Sequence, residues 1–176
     1  LEGEKQRAPQ TDLITKLANE ARRVEEDTEH SFKGHYNAAA RWSRYHMLIG
    51  LPAALLAAIA GAAAFRDQPE WAGSLALVST ALTTVLTFLK PSERAEMHKA
   101  VAGQYQSLRN QARIFREIRL LDGMTPEEAK GRLFGLAEER DELNQRAPAI
   151  ARGDYELAKR DIDGGLARYR TDETKP

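Results

Sequence analysis

The sequence predicts an all-α membrane protein: a two-helix transmembrane hairpin with N- and C-terminal cytosolic helices forming a helical bundle. Three observations predict it. Residues 47–65, MLIGLPAALLAAIAGAAAF, are 19 residues without a charge, and residues 71–89, WAGSLALVSTALTTVLTFL, are a second 19. Only RDQPE, residues 66–70, separates them. Outside these runs the apolar residues recur with helical spacing, and no stretch alternates as a strand would. The whole-chain mean hydropathy of −0.55 hides this division, because the 26 basic and 26 acidic residues all lie outside the two runs.

At about 1.5 Å of rise per residue, each run covers roughly 28 Å, close to the hydrocarbon thickness of a bilayer. Two matched lengths joined by a short polar turn read as a hairpin spanning 47–89, with 66–70 outside. The competing reading, two core helices of a soluble bundle, is disfavoured by the complete lack of charge over this length. A signal peptide is disfavoured because a charged, helix-patterned segment precedes the first run. Arg41, Arg44 and His46 stand before the first span, and Lys90, Arg94 and Lys99 follow the second. Positive flanks favour the cytoplasmic side, which puts both termini in the cytoplasm; the expected location is the inner (plasma) membrane. Trp42, Tyr45, Phe65 and Trp71 suit the two interfaces.

Each span is two-sided. On the first, Gly50, Ala53, Ala54, Ala57, Ala58 and Gly61 share one face as small-xxx-small rows. Such rows let helix backbones approach where lipid supplies no hydrophobic drive to pair them. Pro52 cannot donate to the carbonyl of Leu48, which predicts a kink or local break. On the second span Ser79, Thr80, Thr83, Thr84 and Thr87 form a polar stripe. These hydroxyls either bond back to carbonyls and across to the first span, or line a polar path when several hairpins assemble. Neither span contains an ionisable residue, which argues against a transporter or voltage sensor.

The flanks predict a disordered segment at 1–10 and cytosolic helix over 11–46, with Leu13, Leu17, Ala21 and Val24 as its apolar stripe and Gly34 as a weak point. From residue 90 to 176, cytosolic helices continue from the second span. Val101, Tyr105, Leu108, Ala112 and Phe115 make a heptad-like seam that ends near Asp122-Gly123. Thr125-Pro126-Glu127-Glu128 has the form of a capping box. Leu133, Leu136, Ala137 and Leu143 follow as one apolar face. Pro148 and Gly153 interrupt the pattern, and Tyr155, Ala158, Ile162, Leu166 and Tyr169 mark a last helix.

Little here points to catalysis. The chain has no cysteine, so disulfides, thiolate metal sites and cysteine nucleophiles are excluded. The net charge of zero disfavours nucleic acid as a partner. His30 and His35 lack metal-ligand spacing, and no nucleotide-cradling or hydrolase motif occurs, so neither a metal nor a cofactor is expected and an enzyme is disfavoured. Carboxylate pairs such as Glu25-Glu26 and Glu138-Glu139 read as solvated faces.

The residues around the two membrane entries, YHMLIGLPAALLAAIAGAAAF and TFLKPSERAEMHKAVAGQYQSLRNQAR, resemble the SLATT domain family. The specific parts are Gly50-Leu51-Pro52, Phe88-Leu89, and Ser92-Glu93-Arg94-Ala95 with His98 one turn later. The resemblance implies an effector of nucleotide-signalled bacterial conflict or anti-phage systems that oligomerises into a pore or perturbs the membrane. It also implies a nucleotide-sensing or nucleotidyltransferase partner protein. It brings no catalytic or ligand-binding residues. By their own chemistry, Arg94 can reach lipid phosphates and Glu93 suits a helix N-terminus, while His98 either reports pH or bonds a neighbouring helix. Three functional classes follow: a homo-oligomeric pore-forming effector, a non-conducting membrane anchor or scaffold recruiting a soluble partner, and a small constitutive ion channel.

Overall fold

The computed structural model describes the backbone of residues 2–166 and the side chains of 12–166. The expected disorder of 1–10 and the end of the last helix, with Tyr169, lie outside the fully described residues. Every regular element among the described residues is helical: α1 (Glu2–Ala64), α2 (Pro69–Leu89), α3 (Pro91–Glu117), a short 3-10 turn (Arg119–Leu121), α4 (Pro126–Arg146) and α5 (Arg152–Asp163). Two of these helices are long and apolar enough to cross a membrane. The chain divides into two compact units, Leu1–Asn37 with His98–Pro176, and Ala38–Met97.

In the first unit the periodic stripes meet in one core. Leu17, Ala21 and Val24 of α1 pack with Tyr105, Leu108, Ala112 and Phe115 of α3 and with Ala129, Leu133, Leu136 and Leu143 of α4. Leu13 and Val101 are partly buried at its margin. The α4 start is capped as its sequence predicts. The Thr125 hydroxyl accepts from the Glu128 amide, and the Glu128 carboxylate accepts from the Thr125 amide at 2.9 Å. Those bonds hold the Glu128 carboxyl below the usual carboxylate range. The helix before it stops slightly earlier than expected, at Glu117, and the chain turns through Gly123 at φ 76°. On α5, Ala158 is fully buried while Tyr155 stays exposed, and Leu166, past the end of the helix, is exposed as well.

Three local expectations need correction. The helix does not weaken at Gly34: α1 continues through it without interruption. A Cβ there would lie 3.1 Å from Ile150 Cδ1, so the glycine makes room for the segment after α4 and does not break the helix. Of the kink or local break expected at Pro52, the break does not occur: helix continues through it, since a proline removes one i→i−4 bond, which a long helix can forgo without breaking. Glu25 is not part of a solvated face. It is buried and accepts two bonds from Arg116, at 3.0 and 3.2 Å. Beside it Arg109 pairs with Glu29 at 3.4 Å, so α1 and α3 are joined by charges as well as by apolar contact.

Candidate functional site

In the unit Ala38–Met97, α1 and α2 meet along one face each. Within the apolar run of α1 the less exposed positions are Ile49, Gly50, Ala53, Leu56, Ala60 and Ala63, and on α2 they are Ala72, Leu75, Ser79, Leu82 and Leu86. Apart from the adjacent Ile49 and Gly50, both sets step by threes and fours, the repeat of two helices packed at a shallow angle. Near the middle, the Ser79 hydroxyl donates to the Ala53 carbonyl at 2.8 Å. An alanine at Gly50 would bring its Cβ within 3.5 Å of Leu86, ordinary contact.

The small residues of the first span are thereby divided. Ala53 is buried and Gly50 half-buried in the hairpin, whereas Ala54, Ala57, Ala58 and Gly61 are exposed. A Cβ added at Gly61 would meet nothing within 4 Å. Ala60, outside the predicted set, is buried instead. One helix neighbour can cover only one ridge, and the sequence carries small residues on more than one.

The polar stripe is divided in the same way. Ser79 bonds across to α1, while Thr80, Thr83, Thr84 and Thr87 donate to the carbonyls of Ala76, Ser79, Thr80 and Thr83 at 2.8–2.9 Å. Each threonine proton is thus committed within α2, and each oxygen keeps lone pairs that can accept from water or face a cation. With Phe88 these five residues line an open concavity of about 270 Å³. Its wall is uncharged and rich in acceptors.

At the end of α2, Lys90 adopts the left-handed conformation (φ 47°) and Pro91 starts α3. The Lys90 ammonium pairs with Glu93 at 3.1 Å, and Arg94 Nε donates to the Leu89 carbonyl at 2.9 Å. Ser92 is exposed.

His98 belongs to the other unit, where its Nδ1 lies 2.9 Å from Nδ1 of His35. Both rings are buried. One nitrogen must carry the proton and the other must accept it. The Tyr105 ring stacks on His35 with centroids 5.6 Å apart, and its hydroxyl donates to Asn144 Oδ1 at 2.8 Å. Burial, and then the charge of His98, push His35 down to about 4; burial likewise raises Tyr105. Nothing in the linear pattern joins two histidines 63 positions apart. Sequence reasoning missed the pair for that reason. It also missed an open polar groove of about 460 Å³ on this unit, lined by Asp27, His30, Ser31, Arg140, Asn144 and Tyr155. There Arg140 is held by Asp27 at 3.1 Å and Asp141 at 3.0 Å. Among the described residues no three or more metal-ligating side chains converge.

No family model, curated protein or solved structure matches the chain.

Proposed function

We propose that the chain is a membrane effector of the inner membrane, with both termini cytoplasmic, whose hairpins associate so that the Ser/Thr face of α2 lines a narrow polar path. The observation that carries this reading is the division of labour in the hairpin. The α1–α2 contact uses one face of each helix, and the acceptor-rich face of α2 and the small rows of α1 are left exposed. Small rows are what close helix–helix approach in lipid requires, and an uncharged wall of hydroxyl oxygens lowers the barrier to a hydrated ion. The resemblance to SLATT domains supports a role in nucleotide-signalled defence, with a nucleotide-sensing or nucleotidyltransferase protein as the trigger.

A non-conducting scaffold is the second reading. It is favoured by the threonine protons, which are already satisfied within α2 and need no partner. Planar-bilayer recordings of the wild type and of Thr83→Val with Thr84→Val separate the two. Valine keeps the branched shape and removes only the hydroxyl, so a pore lined by this face should lose several-fold of its unit conductance at unchanged expression. Unchanged conductance in channels that still form would move the path elsewhere. No current from the wild type, with its trigger supplied, would leave the scaffold.

A further inference from the structure

We propose that Arg94, stacked on Trp42 where α2 gives way to α3, is a seat for the phosphate of an anionic phospholipid in the cytoplasmic leaflet. The proposal rests on the membrane reading above and adds a lipid class and a residue to it.

The seat is assembled from three consecutive helices of one unit. Because α2 ends with Lys90 in the left-handed conformation, the Leu89 carbonyl is left at a helix C-terminus, where partial negative charge collects. Arg94 Nε donates to that carbonyl at 2.9 Å, which fixes the guanidinium. Its carbon lies 4.9 Å from the centroid of the Trp42 ring, so one face of the cation is covered by an aromatic surface. The Nη groups meet no acceptor among the described residues, and the side chain is exposed. The nearest acid in sequence, Glu93, is engaged by Lys90 through both carboxylate oxygens at 3.1 Å. Glu96 is two positions away and falls on another side of the helix.

A guanidinium with Nε and one face already used offers its remaining planar edge, which suits the paired oxygens of a phosphodiester better than a point charge does, and an anionic lipid presents that phosphodiester without the headgroup ammonium that offsets it in phosphatidylcholine. The surroundings fit an interface. Arg41 also lies over Trp42, at 5.0 Å, and Tyr45 meets the same ring edge-on at 5.7 Å. Over 38–46 and 90–97, four basic residues stand against two acidic ones, an excess that draws anionic headgroups.

The test uses the full chain with Trp71→Phe, so that Trp42 is the only tryptophan. The protein is reconstituted in phosphatidylcholine vesicles containing a minor fraction of either brominated phosphatidylglycerol or brominated phosphatidylcholine, and quenching of Trp42 is compared. The expected result is preferential quenching by the phosphatidylglycerol, corresponding to about a fivefold enrichment beside the ring. Arg94→Gln should remove the preference. Arg44→Gln, the same charge change on the neighbouring exposed arginine, should leave most of it, and Arg94→Lys should keep only part. Helix content by circular dichroism checks that each variant folds.

Equal quenching by both lipids overturns the seat while leaving Trp42 at the bilayer. Equal losses in Arg44→Gln and Arg94→Gln overturn it in favour of diffuse attraction, and full retention in Arg94→Lys overturns the planar fork. Displacement by inorganic phosphate would make it a soluble-anion site and also overturn the proposal. No quenching by either lipid would overturn the membrane reading itself.

Discussion

The two units spend the same kind of side chain in opposite ways. In the bundle Tyr105, Phe115 and Leu136 are 2%, 1% and 0% exposed, whereas in the hairpin Leu48, Leu77 and Phe88 are 70%, 74% and 82% exposed. Only 11% and 6% of the most apolar windows of the two long helices are buried. A core helix of a soluble domain buries most of its apolar residues, and these do not. The lesson is about solvent. Water and packing account for the bundle, while the hairpin leaves apolar surface of the kind that an apolar medium or a further protein surface covers.

The comparison breaks most visibly under truncation. Phe115→Ala should destabilise the bundle by about 3–5 kcal/mol, since it removes a buried ring and leaves a cavity. Leu55→Ala, on the exposed face of the first span, should cost well under about 1 kcal/mol. Urea unfolding of the detergent-solubilised protein, followed by circular dichroism and referenced to wild type, measures both. Similar costs would mean that the hairpin is packed like the bundle.

The next effect is confined to the bundle and depends on pH. His35 titrates near 4 in the folded chain against an ordinary 6.5, so between those values the unfolded chain binds more protons. Its contribution to stability is complete above pH 6.5 and drains away as the pH falls toward 4. A shift of that size amounts to roughly 3 kcal/mol. Unfolding measured across this range should show a slope that His35→Phe flattens. An unchanged slope in the variant would remove the pair as its source.

The smallest effect sharpens the contrast within the hairpin. Ser79→Ala deletes the side-chain bond from α2 to the Ala53 carbonyl of α1 and should cost the hairpin about 1 kcal/mol. Thr84→Val, whose hydroxyl bonds only its own helix, should leave hairpin stability nearly unchanged. Steric trapping in bicelles can resolve the two, and equal costs would mean that the stripe packs as one surface.

Much of this was legible in the sequence because it is local. The charge-free runs, the Thr125–Glu128 capping box and the seam from Tyr105 to Phe115 depend on periodicity and short-range hydrogen bonding, which neighbouring residues encode. What escaped depends on distant partners. The close approach at Gly34 needs Ile150, the burial of Glu25 needs Arg116, and the His35 pair needs His98. The Ser/Thr stripe was visible as a face, but which hydroxyl crosses to α1 is decided by helix rotation. Ser79 and Thr80 are adjacent in sequence, and only one of them meets Ala53.

A hairpin that crosses a membrane must keep both of its flanks on one side and its turn on the other. The chain has no cysteine, so Gln68→Cys and Gln104→Cys each introduce a single thiol at an exposed position. In intact cells a membrane-impermeant maleimide should label the cysteine at 68 and reach the one at 104 only after permeabilisation. Reversed labelling, or equal labelling of the two before permeabilisation, would contradict the account.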